Sequence, residues 1–180
     1  MKDSITRLLR YFSRETNVVG LEQRLQNKMW DEAVAFIEDN DHRGCDFHTS
    51  TNSIRRVALQ QAPAVGLLLE FGVNRGRSIR LFSKMLRSMD DSRTIFGFDN
   101  FSGLTEDWTG MGRNNGHVVR KKYFDLDGKP PSVDDNVKFV VGDIEKTLRP
   151  FLEEHAGRSV AFIHIDTDTY KPCRLILEQC

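Results

Sequence analysis

The sequence predicts an α/β fold in which a parallel β-sheet is covered by helices on both faces. From residue 65 onward, short apolar segments of strand length alternate with amphipathic segments of helix length. The segments at 65–71 and 160–165 are almost continuously hydrophobic, as is typical of strands that are buried on both sides. Each predicted strand is followed by a Gly or an Asp, which marks its end.

The N-terminal third is predicted to be helical. Apolar residues recur at helical spacing over 21–37, with charged and polar residues between them. A second helix is predicted over 50–62, ending before Pro63. We therefore assign residues 1–62 to a helical segment that forms either a cap or lid or a dimer interface, and residues 63–180 to the α/β domain.

The α/β domain is predicted to contain four strands and three helices. The strands are expected at 65–71, 94–98, 137–141 and 160–165, and the helices at 77–89, at 145–155 and from about residue 169. Pro150 is expected to break or restart its helix, whereas Pro172 suits the first turn of the last one. The segment 99–136 is rich in Gly, Asn, Asp and Pro and is too long for an ordinary connection, which predicts a lid or an insert. The last helix reaches Cys180 without a cap, so we expect a fragment or a short version of a larger domain.

Composition excludes several classes of protein. The chain has 26 Lys and Arg against 26 Asp and Glu, and this zero net charge argues against a nucleic-acid partner. Its apolar runs are shorter than the roughly 20 residues of a membrane span, so no membrane partner is expected. Cys45, Cys173 and Cys180 are predicted to be free thiols. These features predict a cytoplasmic protein.

A glycine turn follows the first predicted strand. Gly72 and Gly76 stand between this strand and a helix, where glycine lets the backbone approach a ligand and the helix N-terminus offers free N–H groups. Their spacing differs from the G-x-G-x-x-G of nicotinamide-binding proteins, and no G-K-[ST] of a P-loop follows. For the glycines alone, a purely structural turn explains the pattern equally well.

Acidic residues follow the other three predicted strands. Asp99 is placed to accept two hydrogen bonds from a ribose diol, although taken alone it suits an ordinary turn. Asp143 is placed to meet an adenine amino group, with Ile144 packing on the ring, and it is also a natural helix N-cap. Asp166 and Asp168 can bind a hard cation or take a proton from a hydroxyl, with a helix cap as the alternative for Asp168.

Together, these strand ends resemble those of class I S-adenosylmethionine-dependent methyltransferases, and among them the macrocin O-methyltransferase-like group, which methylates hydroxyls, often of sugars. The resemblance rests on the following three motifs: Glu70-Phe-Gly-Val-Asn-Arg-Gly-Arg-Ser78, Phe96-Gly-Phe-Asp-Asn-Phe-Ser-Gly-Leu-Thr-Glu-Asp-Trp108 and Phe162-Ile-His-Ile-Asp-Thr-Asp-Thr-Tyr170. It covers residues 65–180. It implies a Rossmann-like, doubly wound parallel sheet that lacks the last strands of the family's fold.

The resemblance also implies roles for individual residues. Those implied to bind S-adenosylmethionine are Glu70, Gly72, Gly76, Ser78, Asp99, Asn100, Phe101, Asp143 and Ile144. Asp166 is implied to act as a base, as a metal ligand together with Asp168, or as both, with Mg²⁺ as the metal. His117, in the long insert, is a second candidate base, although a lone loop histidine is more often simply solvated. The implied partner is a small molecule with a hydroxyl acceptor.

Three other interpretations stay open at this level. The string Asp166-Thr-Asp-Thr169 matches the nucleophile motif of haloacid dehalogenase-like phosphatases, but few residues follow it to supply the remaining groups. A nicotinamide-dependent oxidoreductase suits the strand and helix order but not the glycine spacing. An incomplete fold could also serve as a non-catalytic binding or assembly module, with a second copy of the chain covering its exposed sheet edge.

Overall fold

The computed structural model describes residues 20–40, 47–108 and 119–180. The chain divides into two compact units, Met1–Phe47 and His48–Cys180. In the first unit, the predicted amphipathic helix is present as α1 (Leu21–Asp39). Within the described ranges, no helix combines the length and the apolar character that crossing a membrane requires.

The second unit alternates helices and strands and contains one four-stranded sheet. Its elements are α2 (Thr51–Gln60), β1 (Leu67–Phe71), α3 (Arg77–Ser88), β2 (Ile95–Asp99), β3 (Val137–Val141), α4 (Ile144–Glu154), β4 (Val160–Ile165) and α5 (Tyr170–Gln179). All neighbouring strands pair in parallel, in the order β3-β2-β1-β4. This confirms the predicted α/β fold and the position of each predicted strand to within two residues.

The strand order creates a switch point at the centre of the sheet. The chain builds outward from β1 to β2 and β3, and then crosses to the other side of β1 to place β4. Loops that leave the carboxyl ends of β1 and β4 therefore diverge to opposite sides, which opens a crevice between them. Ligands of open α/β sheets bind in such crevices.

Two apolar clusters cover the sheet, one on each face. Leu68 of β1 belongs to a cluster with Ile79 and Phe82 of α3, whereas its neighbour Leu69 belongs to a cluster with Phe151 of α4. Successive residues of a strand point to opposite faces, so β1 contributes to both clusters and is buried along its whole length. The continuous hydrophobic run in the sequence is explained by this position.

The structure differs from the sequence expectations at two places. We assigned the helix at 50–62 to the N-terminal segment, but α2 belongs to the second unit because Leu59 is buried in the core cluster that also contains α3. Pro150 does not break its helix, since α4 runs through it without interruption. Pro172 lies in the first turn of α5, as predicted.

Gly72 lies where the carboxyl ends of β1, β2 and β4 meet. Its N–H donates to the carbonyl of Phe98 at 2.9 Å, and the N–H of Asp166 donates to the carbonyl of Phe71 at 2.8 Å. Its φ is +86°, and a Cβ at this position would lie 2.3 Å from the Asp166 carbonyl oxygen. Both the left-handed backbone and the close approach of the β4 end therefore require glycine.

We expect Gly72→Ala to lower the free energy of unfolding by more than about 3 kcal/mol, because strain and a backbone clash add together. Gly157→Ala is the matched control, since φ there is +83° but no described atom lies within 4 Å of the added Cβ. That control is expected to lose only about 1–2 kcal/mol, the cost of the left-handed backbone. Urea unfolding of both variants measures the difference, and equal losses would show that the close approach does not matter.

Candidate functional site

A cleft of about 830 Å³ opens at the carboxyl ends of the strands, within the second unit. Its volume is in the range of small-molecule and cofactor sites. Eight residues that were predicted from the sequence line it: Gly72, Ser78, Asp99, Asn100, Asp143, Ile144, Asp166 and Asp168. The strand ends thus converge on one cavity, which is the arrangement that the motifs indicated.

The other predicted residues do not line this cleft. Glu70 is fully buried below it, and Gly76 is the N-cap of α3 with a φ of +76°. Phe101 packs in the core, edge-to-face with Phe139 at a ring-centroid distance of 5.3 Å, so its predicted contact with the cofactor is not supported. His117 lies outside the described residues.

Asp99 holds the loops that follow β1 and β2. Its Oδ2 accepts hydrogen bonds from the backbone N–H groups of Val73 at 2.9 Å and Asn74 at 2.7 Å. Its Oδ1 accepts from the N–H of Phe101 at 2.8 Å. The turn role of Asp99 is therefore present in the structure. A carboxylate has about four lone-pair sites, so these three bonds leave room for one hydrogen bond from a ribose hydroxyl rather than for the two that were predicted.

Asp143, which follows β3, places a carboxylate in the wall of the cleft. The amide Nδ2 of Asn100 donates to its Oδ1 at 3.2 Å, and Lys146 Nζ lies 3.2 Å from its Oδ2. These partners lower the pKa of Asp143, with the Asn100 hydrogen bond as the largest cause. Asp143 occupies the N-cap position of α4, but its side chain makes no capping hydrogen bond to a described residue. The group is held ionised as an acceptor.

Asp166 and Asp168 make the β4 end of the cleft acidic. The Asp166 side chain is 60% exposed, and its Oδ2 lies 3.4 Å from Arg55 Nη2. Burial raises the pKa of Asp168, and the nearby charges of Asp166 and Asp99 raise it further. The N-cap of α5 is Thr169, so the capping alternative for Asp168 does not apply. This end of the cleft is suited to a cationic group.

The predicted metal site is not supported. Within the described ranges, no group of three His, Cys, Asp or Glu side chains is arranged to hold a metal ion. Mg²⁺ in proteins is usually bound through one or two carboxylates together with substrate or water oxygens. Asp166 and Asp168 are the two carboxylates that the sequence indicated. No third His, Cys, Asp or Glu side chain among the described residues joins them to complete a metal site.

Among the cleft residues that were not predicted from the sequence, three polar side chains stand out. Asn74 and Thr167 line the cavity, and their side-chain oxygens Oδ1 and Oγ1 are buried without a hydrogen-bond partner among the described atoms. Both lie inside motifs that pointed to the site, between the two turn glycines and between the two aspartates. Arg55 also lines the cleft, but it comes from α2 and has no neighbouring motif that would indicate it.

The fold and the site define a class of protein. A parallel sheet with acidic strand ends around a switch-point crevice is typical of nucleotide- and nucleoside-binding α/β proteins. The family model for a methyltransferase domain matches residues 69–180, and the chain belongs to this family. This fold implies S-adenosylmethionine as the methyl donor. The comparison with curated proteins finds no match.

Solved structures of methyltransferases resemble this chain. The calicheamicin methyltransferase CalS11 is 21% identical with a TM-score of 0.55, and the match covers 89% of this chain and 73% of that one. An apo structure of CalS11, a TDP-rhamnose 3′-O-methyltransferase, is 23% identical, with coverages of 71% and 54% and a TM-score of 0.46. The O-methyltransferase NovP is 23% identical, with coverages of 67% and 55% and a TM-score of 0.44. The chain spans only about half of the last two. At these identities, the likeness to CalS11 shows a shared fold.

We expect Asp99→Asn to lower the free energy of unfolding by about 1–3 kcal/mol, because the new amide NH₂ would face a backbone N–H donor. Asp125→Asn is the matched control, since the exposed Asp125 accepts a single backbone N–H, from Asp127 at 2.9 Å. Its loss should stay below about 0.5 kcal/mol. Chemical denaturation measures both, and an equally small loss in Asp99→Asn would contradict the structural role of this carboxylate.

The raised pKa of Asp168 predicts a pH-dependent stability. Between its ordinary value of 3.8 and the raised value, the folded state binds more protons than the unfolded state. Stability from this group is therefore complete below pH 3.8 and falls as the pH rises through that window.

Asp168→Asn should accordingly raise the free energy of unfolding at pH 7, by about 0.5–1 kcal/mol, the scale of interactions between partly exposed charges. The gain should vanish at about pH 3, where the wild-type carboxyl is protonated as well. The loop substitution Asp127→Asn removes a charge away from the cleft and should change neither value. A loss of stability in Asp168→Asn at neutral pH would contradict the electrostatic argument.

Proposed function

We propose that this chain is an S-adenosylmethionine-dependent O-methyltransferase domain of the macrocin-like type, acting on a hydroxyl of a small molecule such as a sugar or another natural product. The observation that carries the proposal is the convergence of four strand ends on one polar cleft in a methyltransferase-family domain. CalS11 is a calicheamicin methyltransferase, which supports a natural product as the acceptor class. A cytoplasmic location and a homo-oligomeric state stay predictions.

The residues of the cleft fit the chemistry of the cofactor. Its sulfonium and ammonium groups are cationic, and the acidic side chains of Asp99, Asp166 and Asp168 provide the complementary charge. The cofactor also carries a carboxylate, for which the N-terminus of α3 offers N–H groups without a side-chain cap among the described residues. The buried oxygens of Asn74 and Thr167 offer further acceptors for its donor groups.

The nucleoside part has matching partners on the other wall. We propose that Asp99 accepts a hydrogen bond from a ribose hydroxyl and that Asp143 receives the adenine amino group, with Ile144 against the ring. The carboxylate of Asp143 is kept ionised by Asn100 and Lys146, which strengthens its role as an acceptor. Asp99 is fixed in place by three backbone amides, so its orientation is set before any ligand binds.

When bound, S-adenosylmethionine supplies a methyl group on a positively charged sulfur, which is open to displacement by an oxygen nucleophile. The residues of the chain then have two tasks, namely to align the acceptor hydroxyl and to receive its proton. Asp166 is the candidate base, because its exposed carboxylate lies at the acidic end of the cleft and Arg55 orients it. Alignment supplies most of the rate in such a displacement, and a base adds about 10²–10⁴-fold.

The competing interpretations are less well supported. The family match favours methyl transfer over phosphate hydrolysis and over hydride transfer to a nicotinamide. A non-catalytic module would use the same cleft, because it requires the same bound nucleoside. Binding and turnover must therefore be measured separately.

Calorimetric titration of the chain with S-adenosylmethionine should show one site. Asp143→Asn should weaken this binding about tenfold, the cost of replacing one charge-assisted hydrogen bond. Its free energy of unfolding at pH 7 should fall by less than about 1 kcal/mol, because the ion pair of Asp143 with Lys146 is largely exposed and its side chain does not cap α4. Asp127→Asn, which removes a charge outside the cleft, is the matched control and should bind as the wild type does.

Turnover is tested with S-adenosylmethionine labelled in the methyl group and a panel of sugar, alcohol and phenol acceptors. Transfer to oxygen that is lost in Asp166→Asn supports the proposal. No binding of S-adenosylmethionine at millimolar concentration would overturn it. Binding without transfer to any acceptor would favour the non-catalytic module, while binding of NADH, or phosphatase activity that Asp166→Asn abolishes, would favour the other rivals.

A further inference from the structure

Below the cleft, a chain of polar contacts joins α2 to the first turn of α3. Arg55 Nε donates a hydrogen bond to His164 Nε2 at 3.1 Å. The other ring nitrogen of His164, Nδ1, lies 3.3 Å from Glu70 Oε1. The Ser78 hydroxyl donates a short hydrogen bond to that same oxygen. The contacts thus run from Arg55 through His164 and Glu70 to Ser78, which lines the cleft.

These contacts determine which ring nitrogen of His164 accepts a hydrogen bond. The guanidinium of Arg55 is always charged and can only donate, so His164 Nε2 must accept and carries no proton. The ring proton therefore lies on Nδ1, the atom that faces Glu70. Nδ1 lies 3.3 Å from Glu70 Oε1 but forms no hydrogen bond with it, so the contact between the two is electrostatic. Packing of Phe82 edge-on to the His164 ring, at 5.1 Å between centroids, fixes the ring plane.

Glu70 needs this support because it is the most deeply placed carboxylate of the site. It is fully buried on β1, directly across from His164 on β4, and its second oxygen Oε2 has no partner among the described residues. An imidazole that carried its proton on Nε2 would turn a lone pair toward Glu70 and repel it. By accepting from Arg55 at Nε2, His164 turns its protonated Nδ1 toward the Glu70 carboxylate.

A second nitrogen of the Arg55 guanidinium contacts the exposed end of the site. Its Nη2 lies 3.4 Å from Asp166 Oδ2, and its side chain is only 16% exposed. One guanidinium thus contacts the histidine below the cleft and the carboxylate at its rim. Two donors at fixed spacing are a property of arginine that lysine lacks.

We propose that Arg55 is a positioning residue that holds His164 as the Nδ1–H tautomer and so orients Glu70 and Ser78 below the cofactor, while it orients Asp166 at the reacting end. The part of this inference that concerns the cofactor rests on the proposed function. The effect on the tautomer does not, so the two can be tested separately.

The test is ¹⁵N NMR of the histidine side chains of the full chain at neutral pH, with the His164 signals assigned from a His164→Gln variant. In the wild type, Nδ1 should be protonated and Nε2 unprotonated. Arg55→Met keeps the length of the side chain but removes both donors, and it should give a mixture of the two tautomers. Arg56→Met, an exposed neighbour on α2, is the matched control and should give the wild-type spectrum.

The second readout is the affinity for S-adenosylmethionine. We expect it to fall about tenfold in Arg55→Met, because Glu70 and Ser78 lose their fixed orientation, and to be partly restored in Arg55→Lys, which retains a single donor nitrogen. Arg56→Met should bind as the wild type does. If Arg55→Met does not fold, as judged by circular dichroism, Arg55→Lys carries the test, with an intermediate tautomer ratio expected.

An unchanged His164 tautomer in the folded Arg55 variant would overturn the proposal. So would an altered tautomer with unchanged affinity, since Arg55 would then not act on the cofactor site. If the wild type binds no S-adenosylmethionine but the tautomer responds to Arg55, the proposed function fails while the link between Arg55 and His164 stands.

Discussion

The carboxylate of Asp99 is the constraint on which the geometry of the site depends. By accepting three backbone N–H groups, it fixes the loop after β1 to the loop after β2. Gly72 brings the same turn against the β4 end, where a side chain would not fit. Three strand ends are thereby fixed relative to one another by backbone contacts, which places the polar side chains around one cavity before a ligand arrives.

Much of the fold could be predicted from the sequence because the sheet is buried on both faces. A strand such as β1 has no solvent-exposed face, so its residues form a nearly continuous hydrophobic run that is easy to recognise. The alternation of such runs with amphipathic helices then indicates a parallel sheet. Pro150 was wrongly expected to break a helix, since its local cost is overridden where Leu148 and Phe151 anchor the same helix in the core. Similarly, the domain boundary could not be predicted from helical periodicity alone, because only the burial of Leu59 shows which unit α2 joins.

The site was predictable where chemistry coincides with a strand end. Asp99, Asp143 and Asp166 follow strands whose carboxyl ends meet at one edge of the sheet, so their positions in the chain imply their convergence. How deeply a side chain is buried cannot be predicted in the same way. Glu70, two residues before Gly72, is fully buried and does not line the cavity. Arg55 is more than a hundred residues from its partners in the chain, and only the packing of α2 against the domain brings them together.

The acidic end of the cleft shows how stability and function oppose each other in this domain. Asp168 is disfavoured in its ionised form by its own burial and by the charges of Asp166 and Asp99, so the folded chain without a ligand carries an electrostatic cost there. A cationic ligand would relieve this cost, and the relief would appear as binding energy. Arg55 compensates only one of these carboxylates, because its other donor is engaged by His164. The remaining negative charge is what a sulfonium group would meet, so the unfavourable arrangement is a source of affinity.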